Sequence, residues 1–280
     1  MNLAFIGGGN MAAAMIGGLR QLGSAEVHID VVERDAERRE QLAQDAEVRT
    51  LEAVDASVCA AQIIVLAVKP AELQAACESL APLLAASGAT PLILSIAAGI
   101  PSEAVARWCG TPAVVRAMPN TPALIGQGIT GLYARPGVTA AQRAAATRVL
   151  AAIGEAYWMS DEAQLDVVTA ISGSGPGYVF YLIEALQRAA AEMGLEDGPA
   201  RQFAVQTFVG AAQLALQSSE PVGVLRERVT SKGGTTAAAL ARFEQDGVAD
   251  SIVAGAHAAL ERSRELARTM GGAAAAGVQP

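Results

Sequence analysis

Lysine and histidine are almost absent from this sequence. Among 280 residues only Lys69 and Lys232 carry an ammonium and only His28 and His257 an imidazole; every other basic residue is arginine. His28 falls in the second predicted strand and His257 in the last predicted helix, neither beside a motif. Both read as structural or surface residues, which argues against a dehydrogenase with a histidine general acid. Cysteine is also scarce. Cys59, Cys77 and Cys109 are an odd set without metal-ligand spacing, so no metal site or disulfide framework is expected, only small buried side chains in a reducing compartment. Aromatic residues make up 4% and charged residues 17%, so a core drawn from the 52% hydrophobic content must be mostly Ala, Val, Leu and Ile. Such side chains allow close helix contact but bury little area each, and helices are expected to pack across a subunit interface as well. No charged segment precedes the first strand and no apolar run is long enough to span a bilayer, so the expectation is a soluble, cytoplasmic chain. A net charge of −8 makes nucleic acid and anionic membrane poor partners.

What is present begins with glycine. Leu3-Ala4-Phe5-Ile6 reads as a buried strand, Gly7-Gly8-Gly9-Asn10-Met11 as a tight turn, and Ala12 to Leu19 as a helix of small and apolar residues. Strand, glycine turn and helix form the context in which a G-x-G-x-x-A spacing signals dinucleotide binding. Gly7 makes the turn, Gly9 admits a pyrophosphate to the backbone, and Ala12 packs the helix on the strand. Free N–H groups at the helix start attract phosphate. Ile6, Gly7, Gly8, Gly9, Asn10 and Met11 are assigned to the cofactor. An ordinary connecting turn is the alternative.

Strands and helices alternate up to residue 160. Val27 to Val32 is the second strand, ending at Glu33-Arg34, where such folds read the ribose. Glu33 suits the 2′-hydroxyl of NAD and Arg34 the 2′-phosphate of NADP, so the two signals conflict. NADPH is favoured and NADH kept as the alternative. Arg38 and Arg39 read as the solvated face of a helix from Ala36 to Gln44. Gln62 to Val68 is a nearly all-apolar parallel strand whose end, Ala67-Val68-Lys69-Pro70, faces the ligand side of the sheet. Leu92 to Gly99 repeats the design, with Ala97 leaving room for a flat ring. Val114 to Met118 leads to the stiff loop Pro119-Asn120-Thr121-Pro122, where Asn120 can orient a ligand. Two short strands, Gly128 to Ala134 and Gly154 to Met159, flank a helix near 140–152.

After residue 160 only helical periodicity appears. Residues 1–160 are read as an α/β dinucleotide-binding domain of Rossmann type, 161–270 as an all-α dimerisation and substrate domain, and 271–280 as a flexible tail. Ser160-Asp161-Glu162 reads as a helix N-terminus. Ser172-Gly173-Ser174-Gly175-Pro176-Gly177 reads as a break between helices that points polar groups at a cleft, or as a kink. Helices follow over Tyr178–Met193, Pro199–Gln217, Ala237–Glu244 and Ser251–Thr269. Thr230-Ser231-Lys232-Gly233-Gly234-Thr235-Thr236 carries more hydroxyls than capping one helix requires, and reads as a carboxylate site at a helix N-terminus.

Together these stretches resemble pyrroline-5-carboxylate reductase. The matching segments are Phe5 to Met11, Ala67 to Pro70, Ser95 to Gly99, Arg116 to Pro122, Ser172 to Pro176 and Gly233 to Thr236, in the family's order. The resemblance implies reduction of 1-pyrroline-5-carboxylate to L-proline by NAD(P)H, and a dimer through the helical domain that assembles further into a decamer. It implies that Thr236 bonds the imine nitrogen and that Thr235 lines the carboxylate pocket. Lys232 and Gly177 stand where the family usually has proline and alanine, and Glu220 lies in a loop where some members touch the substrate. Gly234, Thr235, Ser231 and Lys232 are the expected carboxylate contacts. The competing functions are reduction of another cyclic imine, a β-hydroxyacid-type dehydrogenase, for which Lys232 is the only lysine in the helical half, and a non-catalytic NAD(P) sensor. The enzymatic reading expects the glycine turn and the threonine cluster to share one crevice.

Overall fold

A computed structural model describes residues 1–21, 27–46 and 48–272. By contacts the chain divides into two units, one of Met1–Ser174 with the chain from Ala259 onward, the other Gly175–Ala258. This division follows packing and differs from the change of pattern near residue 160.

The first unit is built on strands β1 (Asn2–Ile6), β2 (His28–Val32), β3 (Arg49–Leu51), β4 (Ile63–Leu66), β5 (Leu92–Ser95), β6 (Val114–Met118), β7 (Gly128–Ala134) and β8 (Gly154–Trp158). They form one sheet in the order β3-β2-β1-β4-β5-β6-β7-β8. All neighbours pair parallel except β6 with β7. The order reverses direction beside β1, the point at which ligands bind in doubly wound sheets. Alternate residues feed two cores. Leu3, Phe5, Ile63, Val65, Leu92 and Leu94 face α1 (Asn10–Gln21) and α5 (Ala140–Ala151) through Met15, Ile16, Leu19, Val149 and Leu150. Ala4, Ile6, Ile64, Leu66 and Ile93 face α3 (Pro70–Ser87) and α4 (Ser102–Cys109) through Leu73, Cys77, Leu80, Val105 and Trp108. A parallel strand covered on both faces needs apolar residues at every position, which is why β4 and β5 carry no alternation. The three cysteines are free and buried. Helix α2 (Ala36–Ala46) follows β2.

Two expectations about the chain beyond β8 need correction. Ser160-Asp161-Glu162 is not itself a helix start. Gln164 Oε1 accepts from the N–H groups of Ser160 and Asp161, and α6 begins at Gln164 and runs to Val168. The break at Ser172–Gly177 is not a loop. A π-turn spans Thr169–Gly173, Ser174 keeps right-handed helical angles, and α7 starts at Gly175 and ends at Glu192. The Ser172 hydroxyl donates back to the Val168 carbonyl at 3.0 Å. The glycines are absorbed as a helix distortion, the sort of single π-turn that relieves an extra residue.

The second unit contains α7, α8 (Asp197–Gln217), α9 (Val222–Arg228) and α10 (Thr235–Gln245), and α11 (Val248–Gly272) begins in it. Helices α7 and α8 pack on each other. Ala200 and Ala204 of α8 are buried, whereas Phe180, Tyr181, Phe203 and Leu216 are 66–82% exposed in the single chain. Among the described residues no helix is long and apolar enough to cross a membrane. The expected tail beyond Gly272 lies outside the described residues.

Candidate active site

β1 delivers the chain into the glycine turn. Gly7 has φ +99°, and a Cβ there would lie 2.8 Å from the backbone C and O of Ala67. Both the angle and the approach require glycine. The Gly8 peptide is held from both sides. Its N–H donates to Glu33 Oε2 at 2.8 Å, and its carbonyl accepts from Arg38 Nε at 2.9 Å. Gly9 differs, because nothing lies within 4 Å of where its Cβ would stand. Its carbonyl accepts the first helical bond, from Ala13 at 2.9 Å. The N–H groups of Asn10, Met11 and Ala12 therefore have no helical acceptor, at the positive end of α1.

A cleft of about 670 Å³ opens beside this turn. Of the residues assigned to a cofactor from the sequence, Ile6, Gly7, Gly9, Glu33, Arg34, Ala67, Val68 and Lys69 line it. Gly8, Asn10, Met11, Pro70, Ala97 and Asn120 do not. The cleft also takes Glu52, Ala53 and Val54 from after β3, and Glu72, Ala75, Ala76 and Ser79 from α3. These were missed because three-residue β3 is too short to show a period, and a helix face acquires a function only from what it faces.

Glu33 and Arg34 have different partners. Glu33 is turned onto backbone, accepting from Gly8 and, at 3.0 Å, from the Asp35 N–H. Arg34 pairs with Glu72 of α3 at 2.7 Å. Arg38 and Arg39 are not the solvated face expected of them. Besides the bond from Arg38 to Gly8, Arg39 Nη1 donates to the carbonyls of Glu33 and Arg34 at 2.8 and 2.7 Å. Two arginines thus brace the loop while Arg34 stays on the surface.

Asn120, expected to orient a ligand, lies outside the lining of the cleft and braces the loop around it. It is buried, its Nδ2 donates to the Ser172 carbonyl at 3.1 Å, and its Oδ1 accepts from the Ile129 N–H at 2.9 Å. Two strands' worth of loop and the π-turn are tied together by one amide. A charged cluster lies nearby in sequence. Arg116 of β6 is 4% exposed, and its guanidinium reaches Glu162 at 3.2 Å and Asp166 at 3.9 Å. Glu162 also accepts from the Ser102 N–H and hydroxyl, both at 2.6 Å, and Ser263 donates to Asp166 at 2.9 Å.

In the second unit the hydroxyl-rich segment starts α10. Gly233 is left-handed at φ +75°, Gly234 is the last residue before the helix, and no side chain caps it. Thr230 donates to the Arg226 carbonyl at 2.6 Å. Among the described residues the hydroxyls of Ser231, Thr235 and Thr236 have no partner. The Gly234 N–H is committed to the Ser231 carbonyl at 3.0 Å, which removes it as a carboxylate donor. The first helical bond runs from Ala238 to the Gly234 carbonyl, so the N–H groups of Thr235, Thr236 and Ala237 are free. Ala237 is a donor the sequence reading missed, because alanine offers no side-chain signal. A Cβ on Gly234 would collide with the Ser231 hydroxyl. Lys232 is exposed beside them. Glu220, expected at the substrate, has its carboxylate gripped by both terminal nitrogens of Arg228, at 2.6 and 2.5 Å.

Two family models match the chain. Residues 162–266 match pyrroline-5-carboxylate reductase dimerisation, and residues 2–99 match NADP oxidoreductase, coenzyme F420-dependent. The chain is 46% identical to a pyrroline-5-carboxylate reductase of Pseudomonas aeruginosa over 96% of its length and 98% of the relative's. Its fold is similar to that of a pyrroline-5-carboxylate reductase from Coxiella burnetii, with TM-score 0.88 and 37% identity over 95% of this chain and 98% of that one. It is also similar to the Plasmodium falciparum pyrroline carboxylate reductase with NADP bound, with TM-score 0.81 and 25% identity over 95% and 98%.

Proposed function

The chain belongs to the pyrroline-5-carboxylate reductase family, and from that premise we propose how its own residues serve the reaction. The reaction is reduction of the cyclic imine acid 1-pyrroline-5-carboxylate to L-proline, with NADPH as cofactor and NADH as the alternative donor. The residues around the glycine turn fit a dinucleotide. Gly9 is open, three helix-start N–H groups lack acceptors, and the adjoining cleft is bounded by Glu33 and Arg34. The turn binds phosphate and the cleft the adenosine end. When bound, the dihydronicotinamide supplies the hydride that the imine carbon accepts.

A cyclic imine already presents an electrophilic carbon, and its nitrogen is easily protonated. The protein then has to orient the ring and hold the nitrogen as it gains electron density. The uncapped start of α10 carries this part of the assignment. A helix start where the N–H groups of Thr235, Thr236 and Ala237 and the hydroxyls of Ser231, Thr235 and Thr236 are unspent is suited to an anionic, hydrogen-bonding ligand. Thr236 Oγ1 orients the imine nitrogen. The N–H groups of Thr235 and Ala237, with the Ser231 hydroxyl and the Lys232 ammonium, hold the carboxylate. Gly234 contributes by letting the Ser231 hydroxyl lie over it, and Glu220 by keeping Arg228 neutralised nearby.

Thr236→Ala is expected to lower kcat by about tenfold to several hundredfold, the range for losing one or two hydrogen bonds to a transition state. Thr236→Ser should restore most of it. NADPH oxidation followed with 1-pyrroline-5-carboxylate and with its six-membered homologue measures both the loss and the ring-size preference. An alanine variant with unchanged kinetics removes Thr236 from the mechanism.

Self-association through the helical unit, as a dimer and then a decamer, is part of the same proposal. The exposed Phe180, Tyr181, Phe203 and Leu216 support it. Light scattering of the purified chain tests it. The cytoplasm as compartment rests on the three free, buried cysteines, and the exclusion of nucleic acid and anionic membrane as partners on the net charge of −8.

A further inference from the structure

Arg34 and Glu72 reach each other from separate elements that both line the cleft, one after β2 and the other in the first turn of α3. We propose that Glu72 sets the preference between NADPH and NADH, by competing with the 2′-phosphate for the Arg34 guanidinium. The inference rests on the dinucleotide reading of the cleft.

Three arginines follow β2, and they are not equivalent. Arg38 is tied to the Gly8 carbonyl, and Arg39 to the carbonyls of Glu33 and Arg34. A ligand phosphate that recruited either would dismantle the glycine turn or the loop behind it. Arg34 has Glu72 as its partner and is 76% exposed, so most of its five donors face water. It is the guanidinium that can move to an anion without breaking the backbone support. Glu33 lines the cleft and is held by the N–H groups of Gly8 and Asp35, one on each oxygen, so each oxygen keeps a spare lone pair. It can accept from a 2′-hydroxyl but cannot follow Arg34 to a phosphate.

The two cofactors therefore meet different costs. NADH leaves the Arg34–Glu72 pair intact. NADPH must draw Arg34 away from Glu72 and place a dianion close to that carboxylate. Glu72 is the third residue of α3, close to the positive end of that helix. The pair is a tunable brake on the phosphorylated cofactor. Its strength is that of a surface ion pair, which limits the effect to about two- to fivefold in affinity.

Isothermal titration with NADP+, NAD+, adenosine 2′,5′-bisphosphate and 5′-AMP on the full chain tests this apart from turnover. Glu72→Gln should bind NADP+ and the bisphosphate about two- to fivefold more tightly, with NAD+ and 5′-AMP unchanged. In an Arg34→Ala background the same substitution should have far less effect on NADP+, because the competition has lost its object. Three results overturn the proposal: no tightening, equal tightening for both dinucleotides, or tightening that persists in full without Arg34, which would show simple charge repulsion. Failure of the unsubstituted chain to bind either dinucleotide would instead refute the cofactor site itself.

Discussion

Removing the Glu162 carboxylate should destabilise the first unit severely. Its two oxygens accept from the Ser102 N–H and hydroxyl and from Arg116, a guanidinium that is 4% exposed. In Glu162→Ala the Arg116 charge keeps only Asp166, at 3.9 Å, which is too long for a good charge-assisted bond. The Ser102 N–H is in the first turn of α4 and loses its acceptor, since Pro101 offers no side-chain cap. Breaking a buried pair from one side costs about 3–5 kcal/mol, most of it the penalty of the uncompensated charge. At roughly 2–4 °C per kcal/mol for a chain of this size, the melting temperature should fall by about 6–20 °C. Differential scanning calorimetry measures it, with Glu162→Gln expected in between because it keeps an acceptor without the charge. The double substitution Arg116→Met with Glu162→Leu should recover part of the loss, since it removes the uncompensated guanidinium while Asp166 keeps the Ser263 hydroxyl as donor. A Glu162→Ala melting temperature equal to the wild type, or a double variant as unstable as the single one, would refute the argument.

Gly7→Ala places a Cβ 2.8 Å from the Ala67 backbone at φ +99°. Binding of NADP+ and NAD+ should then be lost together, and retained titration heats would show that the turn adapts. The Cys77 thiol is pushed well above its ordinary value near 9.0 by its hydrogen bond with Cys109, then by burial. A raised folded-state value means that this contribution to stability is whole below pH 9.0 and is lost as pH rises beyond it. Denaturant midpoints should thus fall in the alkaline range, less so in Cys77→Ala. At neutral pH iodoacetamide should leave Cys59, Cys77 and Cys109 unmodified until the protein unfolds, and rapid labelling of the folded chain would contradict their burial.

The sequence by itself determined the sheet of the first unit and the position of its ligand edge. Unbroken apolar runs such as Ile63–Leu66 can satisfy only a strand covered on both faces, and the glycine spacing after β1 can satisfy only a turn with positive φ and a close neighbour. It also marked Ser231, Thr235 and Thr236, because their hydroxyls exceed what capping requires. What it left open was where each polar group spends its bonds. Arg38, Asn120, Glu220 and the Gly234 N–H looked available and are committed to partners, some close by in the chain and some 30 to 52 residues away. The Ala237 N–H looked irrelevant and is free. Side-chain chemistry and local periodicity are written into the residue order, whereas hydrogen-bond saturation depends on which groups folding brings within 3 Å. Only the tertiary structure decides that.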